Sequence, residues 1–165
     1  MMQKIPAQSG ETIFIPGGRL HAIGKGSLLL EVQQNSNTTY RVYDWDRVDD
    51  KTGPRALHLE EASKVIIWDD TKNPLIKPTT LIDSKNLKIT QLIATPYFQM
   101  ERWNIFDSHF LRKENNVWEI LFLVEGEAVF YSEKECFTWK KGSSCLIPAS
   151  CSDLKIEIKY HFFIK

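Results

Sequence analysis

The residue types that can do chemistry gather in the first third of the chain. The sequence there runs Gly10, five residues, Pro16, one residue, Gly18, two residues, His21. A neutral imidazole carried at the exit of a tight turn is a good zinc ligand. Further on, Arg41 offers a permanently charged, planar guanidinium suited to an oxyanion or a phosphate ester. Glu31 and Gln33 lie between the two and could line the same pocket, where they would bind hydroxyl groups. Each residue also has a plainer use. His21 could merely satisfy its turn, Arg41 could project from a solvated strand, and Glu31 and Gln33 could form a rim or a cross-strand pair. Arg47 and Arg55 could bind a phosphate, or end in surface ion pairs.

The elements that must position these residues follow from periodicity. Thr12 to Ile15 reads as a strand leading into the Pro16-Gly17-Gly18 turn, where proline fixes φ and glycine permits a positive one. From Ser27 to Gln33 the chain alternates, with Leu28, Leu30 and Val32 on one face and Leu29, Glu31 and Gln33 on the other. Thr38 to Tyr43 alternates as well and sets Thr39, Arg41 and Tyr43 together; Asn35-Ser36-Asn37 is the turn between the two strands. After Gly53-Pro54 the period changes, and Leu59, Ala62, Val65 and Ile66 predict a helix over about 58–68. Glu60 and Glu61 suit its first turn through the helix dipole, and His58, which opens it, is expected at the surface. Thr71 to Thr80, with two prolines and two lysines, reads as a linker.

From Leu87 onward strands are predicted to the end: 88–94, 97–105, 117–126, 127–132, 136–142, 144–149 and 154–164, separated by turn residues. That pattern is an all-β sandwich or jelly roll. His109 and His161 have no spacing that would complete a metal site, and His161 is expected to pack among aromatics.

Composition bounds the partners. Lys plus Arg and Asp plus Glu both count 21, so neither nucleic acid nor an anionic membrane surface is an expected partner. Cys136, Cys145 and Cys151 show no C-x-x-C spacing, and no apolar run has the length of a signal or membrane segment. A reduced cytoplasmic setting is expected, with the cysteines as small core or edge residues. With 42% hydrophobic residues, the 165-residue chain can build a core of one domain or two small modules.

The spacing G-x5-P-x-G-x2-H resembles the second sequence motif of the cupin jelly roll. With EVQQNSNTTYRVYDWDR and PRALHLEEASKVI after it, the chain is similar to the C-terminal half of the type I mannose-6-phosphate isomerases (phosphomannose isomerases). The resemblance implies that His21 is a zinc ligand carried on a strand facing the barrel interior, and that Arg41 of the T-Y-R-x-Y-D run is the active-site arginine. It implies further metal ligands upstream of the turn, an H-x-H or Q-x-H pair and a carboxylate. Residues 1–9 contain neither His nor Glu, so the ligand set is expected to be incomplete within this chain. The cupin spacing returns at Gly142, five residues, Pro148, with Ser150 at the turn glycine and Asp153 where the metal-binding histidine would stand. The resemblance thus implies a mainly β fold. It would comprise a partial catalytic-type cupin over 1–50, a helix and linker over 51–80, and a C-terminal cupin without its metal site over 81–165. The implied function is a metal-dependent interconversion of mannose 6-phosphate and fructose 6-phosphate if the missing ligands are supplied. The alternative is a noncatalytic cupin that binds a sugar phosphate or another protein. Uncovered strands over 12–43 are expected to extend the sheet of the C-terminal barrel and to pair two copies as a homodimer, or else to be covered by a partner chain carrying the N-terminal half.

Overall fold

The computed structural model describes residues 2–112, 117–132, 135–160 and 163–164, so His161 lies outside the described residues. Two units divide the chain, Met1–Leu75 and Ile76–Lys165.

The first unit holds little β-ladder. Its stretches Thr12–Ile15, Ser27–Gln33 and Thr38–Tyr43, expected as strands, form none: Ile13 makes a single antiparallel bridge with Leu75, and residues 20–40 are all exposed. A strand is the product of pairing, and these alternating segments find no ladder partner among the described residues. The regular elements are the short pair β1 (Val48–Asp49) and β2 (Gly53–Pro54) and the helix α1 (Leu59–Val65). Between the two strands Asp49 Oδ1 accepts the backbone N–H groups of Lys51 and Thr52, both at 2.9 Å, which closes the turn. The helix is shorter than the periodicity suggested, because Ile66 is already extended at ψ 131°. Of its apolar residues only Ala62 is buried, while Glu60 and Lys64 pair on its exposed side at 3.1 Å.

The Pro16–Gly18 turn is laid directly against the end of α1. Gly18 has φ +86°, its carbonyl accepts the Ile67 N–H at 2.9 Å, and a Cβ at this position would stand 2.6 Å from the Val65 carbonyl oxygen. Only glycine meets both demands. Arg19 then clamps the chain beyond the helix: its Nε and Nη2 donate to Asp70 at 2.6 and 2.8 Å, and its Nη1 to the Phe14 carbonyl at 3.1 Å. This bidentate pair is largely shielded from solvent.

The second unit consists of β3 (Thr79–Asp83), β4 (Leu87–Ala94), β5 (Gln99–Ile105), β6 (Ser108–Leu111), β7 (Glu119–Phe122), β8 (Glu127–Tyr131), β9 (Cys136–Lys140), β10 (Ser144–Ile147), β11 (Leu154–Tyr160) and β12 (Phe163–Ile164). Six strands in the order β10-β7-β12-β5-β4-β3 form one sheet and four in the order β6-β11-β8-β9 the other, with every pairing among the described residues antiparallel. This is the two-sheet jelly roll the alternation implied. Two strands escaped the sequence reading. β3 begins in the last two residues of the supposed linker and runs on to Asp83, and β6 follows the two-residue corner Phe106–Asp107, where the chain leaves one sheet for the other.

Inward positions carry the core. Trp103, Ile105, Leu121, Leu123, Phe130 and Ile156 are all buried, with Phe130 stacked on Phe137 at 5.1 Å and edge-on to Trp139 at 5.0 Å. In β4 the buried set passes from Leu87 and Ile89 to Leu92, because a bulge between Gln91 and Ile93 flips the alternation. Among the described residues no helix is long and apolar enough to cross a membrane.

Candidate functional site

His21 leaves the Pro-Gly-Gly turn on an exposed segment, not on a strand facing a barrel interior. Its Nδ1 lies 3.1 Å from the Arg19 carbonyl oxygen. A carbonyl can only accept, so Nδ1 is the donor at this contact, which in the neutral ring leaves the lone pair on Nε2. Metal-binding histidines are commonly oriented in this way. The carbonyl that the ring meets belongs to Arg19, whose guanidinium grips Asp70, so the imidazole is mounted on a residue anchored by an ion pair.

Arg41 sits in a different constellation. Its backbone N–H donates to His58 Nδ1 at 3.0 Å and its carbonyl accepts the His58 N–H at 2.8 Å, a reciprocal pair that ties the arginine to the start of α1. His58 is therefore half-buried, with its ring 6.2 Å from that of Tyr40, and does not occupy the surface position expected of it. The Arg41 side chain donates to the Ala56 carbonyl at 3.4 Å and lies 3.8 Å from Asp44 Oδ1. Arg55 grips the same carboxylate with both Nε, at 2.8 Å, and Nη2. Asp44 is buried, which is uncommon for a carboxylate unless it is paired. The Arg55 hydrogen bond holds it below the usual carboxylate range. Burial opposes this, while the charges of Arg55, Arg41 and Arg47 reinforce it.

A tight turn makes this arrangement possible. Trp45 and Asp46 have φ of 57° and 53°, and the Arg47 N–H closes onto the Asp44 carbonyl at 3.1 Å. Positive φ at both central positions is the type I′ signature and is unfavourable for non-glycine residues. Tyr43 caps the turn by donating to Asp46 Oδ2 at 3.1 Å, a bond that pushes the phenol pKa up, and its ring packs against Trp45 at 5.4 Å. The result is three guanidinium groups within electrostatic reach of one carboxylate, an excess of positive charge that can receive an anion.

The remaining sequence candidates stay apart from this cluster. Glu31 and Gln33 are exposed, and Gln33 donates to the Ser36 carbonyl at 3.1 Å. The partners of His21 and of Arg41 share no residue. No group of three His, Cys, Asp or Glu that could hold a metal is found among the described residues. A catalytic zinc takes three protein ligands and keeps one position open. The donors described here thus do not fit a complete zinc site. In the second unit Asp153 and Ser150, at the positions of the lost cupin ligand and turn glycine, are both exposed. Sequence reasoning missed the roles of Asp44 and His58 because their partners lie 11 and 17 residues away, beyond any periodic signal.

Residues 88–164 match the family model of the mannose-6-phosphate isomerase cupin domain. The chain is 34% identical over 160 residues, 95% of its length, to the mannose-6-phosphate isomerase ManA of Bacillus subtilis. It is 32% identical over 148 residues to a mannose-6-phosphate isomerase of Streptococcus mutans. It spans about half the length of these relatives, 49% and 46%. The crystal structure of the mannose 6-phosphate isomerase from Bacillus subtilis aligns with a TM-score of 0.69 and 27% identity, covering 79% of this chain and 41% of that one. Residues 88–164 thus match a mannose-6-phosphate isomerase cupin domain, and along almost its whole length the chain resembles about half of a mannose-6-phosphate isomerase, in sequence and in fold.

Proposed function

We propose that this chain carries part of the active site of a mannose-6-phosphate isomerase, serving the interconversion of mannose 6-phosphate and fructose 6-phosphate when further donors join His21. The observation that carries the reading is the arginine cluster over buried Asp44, in a chain matched along 95% of its length by a relative named for that isomerisation. Taking a proton from the carbon beside the carbonyl and returning it to the former carbonyl carbon passes through an enediolate, which places negative charge on the two sugar oxygens. A guanidinium held in place beforehand, as Arg41 is by His58 and Asp44, can stabilise that charge or bind the phosphate. Glu31 and Gln33 are available to sugar hydroxyls. His21 would give one zinc ligand, and the others would come from outside the described residues. The exposed apolar run from Leu28 to Val32 fits a surface covered by a second copy or by a partner chain. A sugar-phosphate substrate agrees with a cytoplasmic setting.

The second reading is a noncatalytic module that binds sugar phosphate through the arginine cluster. The single exposed zinc donor favours it. Zinc content by elemental analysis, mannose 6-phosphate turnover and calorimetric binding, each run beside His21→Ala, separate the two. About one zinc per chain, lost in His21→Ala and accompanied by turnover, is the result expected of the enzyme. Binding without zinc or turnover identifies the module. Neither binding nor turnover refutes both readings.

A further inference from the structure

We propose that the second unit holds a separate site for a small organic anion with an apolar body, between the edges of its two sheets. Ile82, Ile89 and Trp103 stand in register across β3, β4 and β5 and form one inward row. Opposite them on β6, His109 and Leu111 are in register with buried Ile156 and Leu154 of β11, so they too occupy inward positions. β3 and β6 are each the terminal strand of their sheet, and the gap between the sheets opens at this end.

The cavity there has a volume of about 560 Å³, within the range of roughly 300–1,000 Å³ typical of small-molecule sites. Its floor is apolar: Ile89, Trp103 and Leu111 are buried. Its polar lining is Ser108, His109 and Arg112, and none of the described lining residues is Asp or Glu. His109 is set edge-on to the Trp103 ring at 5.2 Å, which holds the imidazole over the floor. One fixed positive charge with an imidazole and a hydroxyl selects an anionic head. The apolar floor selects carbon behind it, since a bare phosphate would leave that surface against water. This site is independent of the arginine cluster and of the isomerase reading.

The test uses the full chain, with phenylacetate as probe and the Trp103 indole N–H, assigned with Trp103→Phe, as NMR reporter. Benzyl alcohol supplies the same body without charge, and inorganic phosphate the charge without a body. Saturable shifts with phenylacetate are expected, weakened about tenfold or more in Arg112→Gln and abolished by Ile82→Trp, which fills the mouth from an exposed position. Benzyl alcohol should bind about tenfold more weakly than phenylacetate and phosphate should leave the indole signal unmoved. The proposal is overturned if phenylacetate causes no shift, if Arg112→Gln or the neutral probe binds as well as the original pair, if phosphate alone moves the signal, or if binding survives Ile82→Trp.

Discussion

One methyl group placed on Gly18 should destabilise the first unit by about 2–4 kcal/mol, while the same group on Gly17 should cost nothing. At φ +86°, alanine in position 18 enters the left-handed region, a penalty of roughly 1–2 kcal/mol. Its Cβ would lie 2.6 Å from the Val65 carbonyl oxygen and 3.0 Å from Ile67 Cγ1. The obstacle is backbone at the end of a helix, so it cannot swing aside as a side-chain tip would. Relief means moving the turn away, which breaks the 2.9 Å bond from Ile67 N–H to the Gly18 carbonyl and adds about 1–2 kcal/mol. Gly17 has open space around its Cβ position and no positive φ; alanine there should be neutral or stabilising by up to about 1 kcal/mol, through a less flexible unfolded chain. Hydrogen exchange at the Ile67 amide reads the difference directly. Protection should fall about 30-fold or more in Gly18→Ala and hold in Gly17→Ala. Equal protection in the two variants would show that the turn does not bear on the helix end, and the rigid mounting inferred for His21 would go with it.

Three other outcomes are expected. Arg19 holds the Asp70 carboxyl, and Arg55 that of Asp44, below the usual range. A carboxylate with a depressed folded pKa adds stability above its unfolded value, about 4, that is lost as pH falls through the folded one. The melting temperature of the first unit should therefore drop with acidification below about pH 4, and Asp70→Asn should flatten that dependence. His58→Ala should cost about 1–3 kcal/mol by orphaning the Arg41 N–H, and His58→Asn, which keeps an acceptor near the Nδ1 position, should restore part of it in thermal melts. Phe130→Ala should cost about 3–5 kcal/mol in urea unfolding of the second unit, since that side chain is fully buried between two aromatic rings.

How far the sequence could be read depended on whether a pattern had its partner in the chain. The strands after Leu87, β6 excepted, were legible because their apolar faces meet across the two sheets. β3 was not, because Thr79–Asp83 is exposed along its whole length and alternation has nothing to record. Leu28 to Val32 shows the opposite failure: the alternation is clear, yet these residues are exposed and unladdered. A side-chain period reports which face could be buried, and burial requires a second surface. In the candidate site, His21 and Arg41 were singled out through a spacing expected of a turn and a strand, of which the structure forms the turn. Asp44, Arg55 and His58 come together through loops with no period, so their pairing could only be seen in three dimensions.

The place of β12 bears on how the second unit is synthesised. Phe163–Ile164 pairs with β5 on one side and β7 on the other, in the interior of the six-stranded sheet. Until residue 164 has left the ribosome, that sheet exists as two fragments, β10-β7 and β5-β4-β3, each with an open edge at the seam. Strands that wait for a late partner are exposed to pairing with other nascent chains. Translation should therefore deliver this jelly roll almost whole before it can close, and loss of the Phe163–Ile164 pairing would do more harm than two residues suggest.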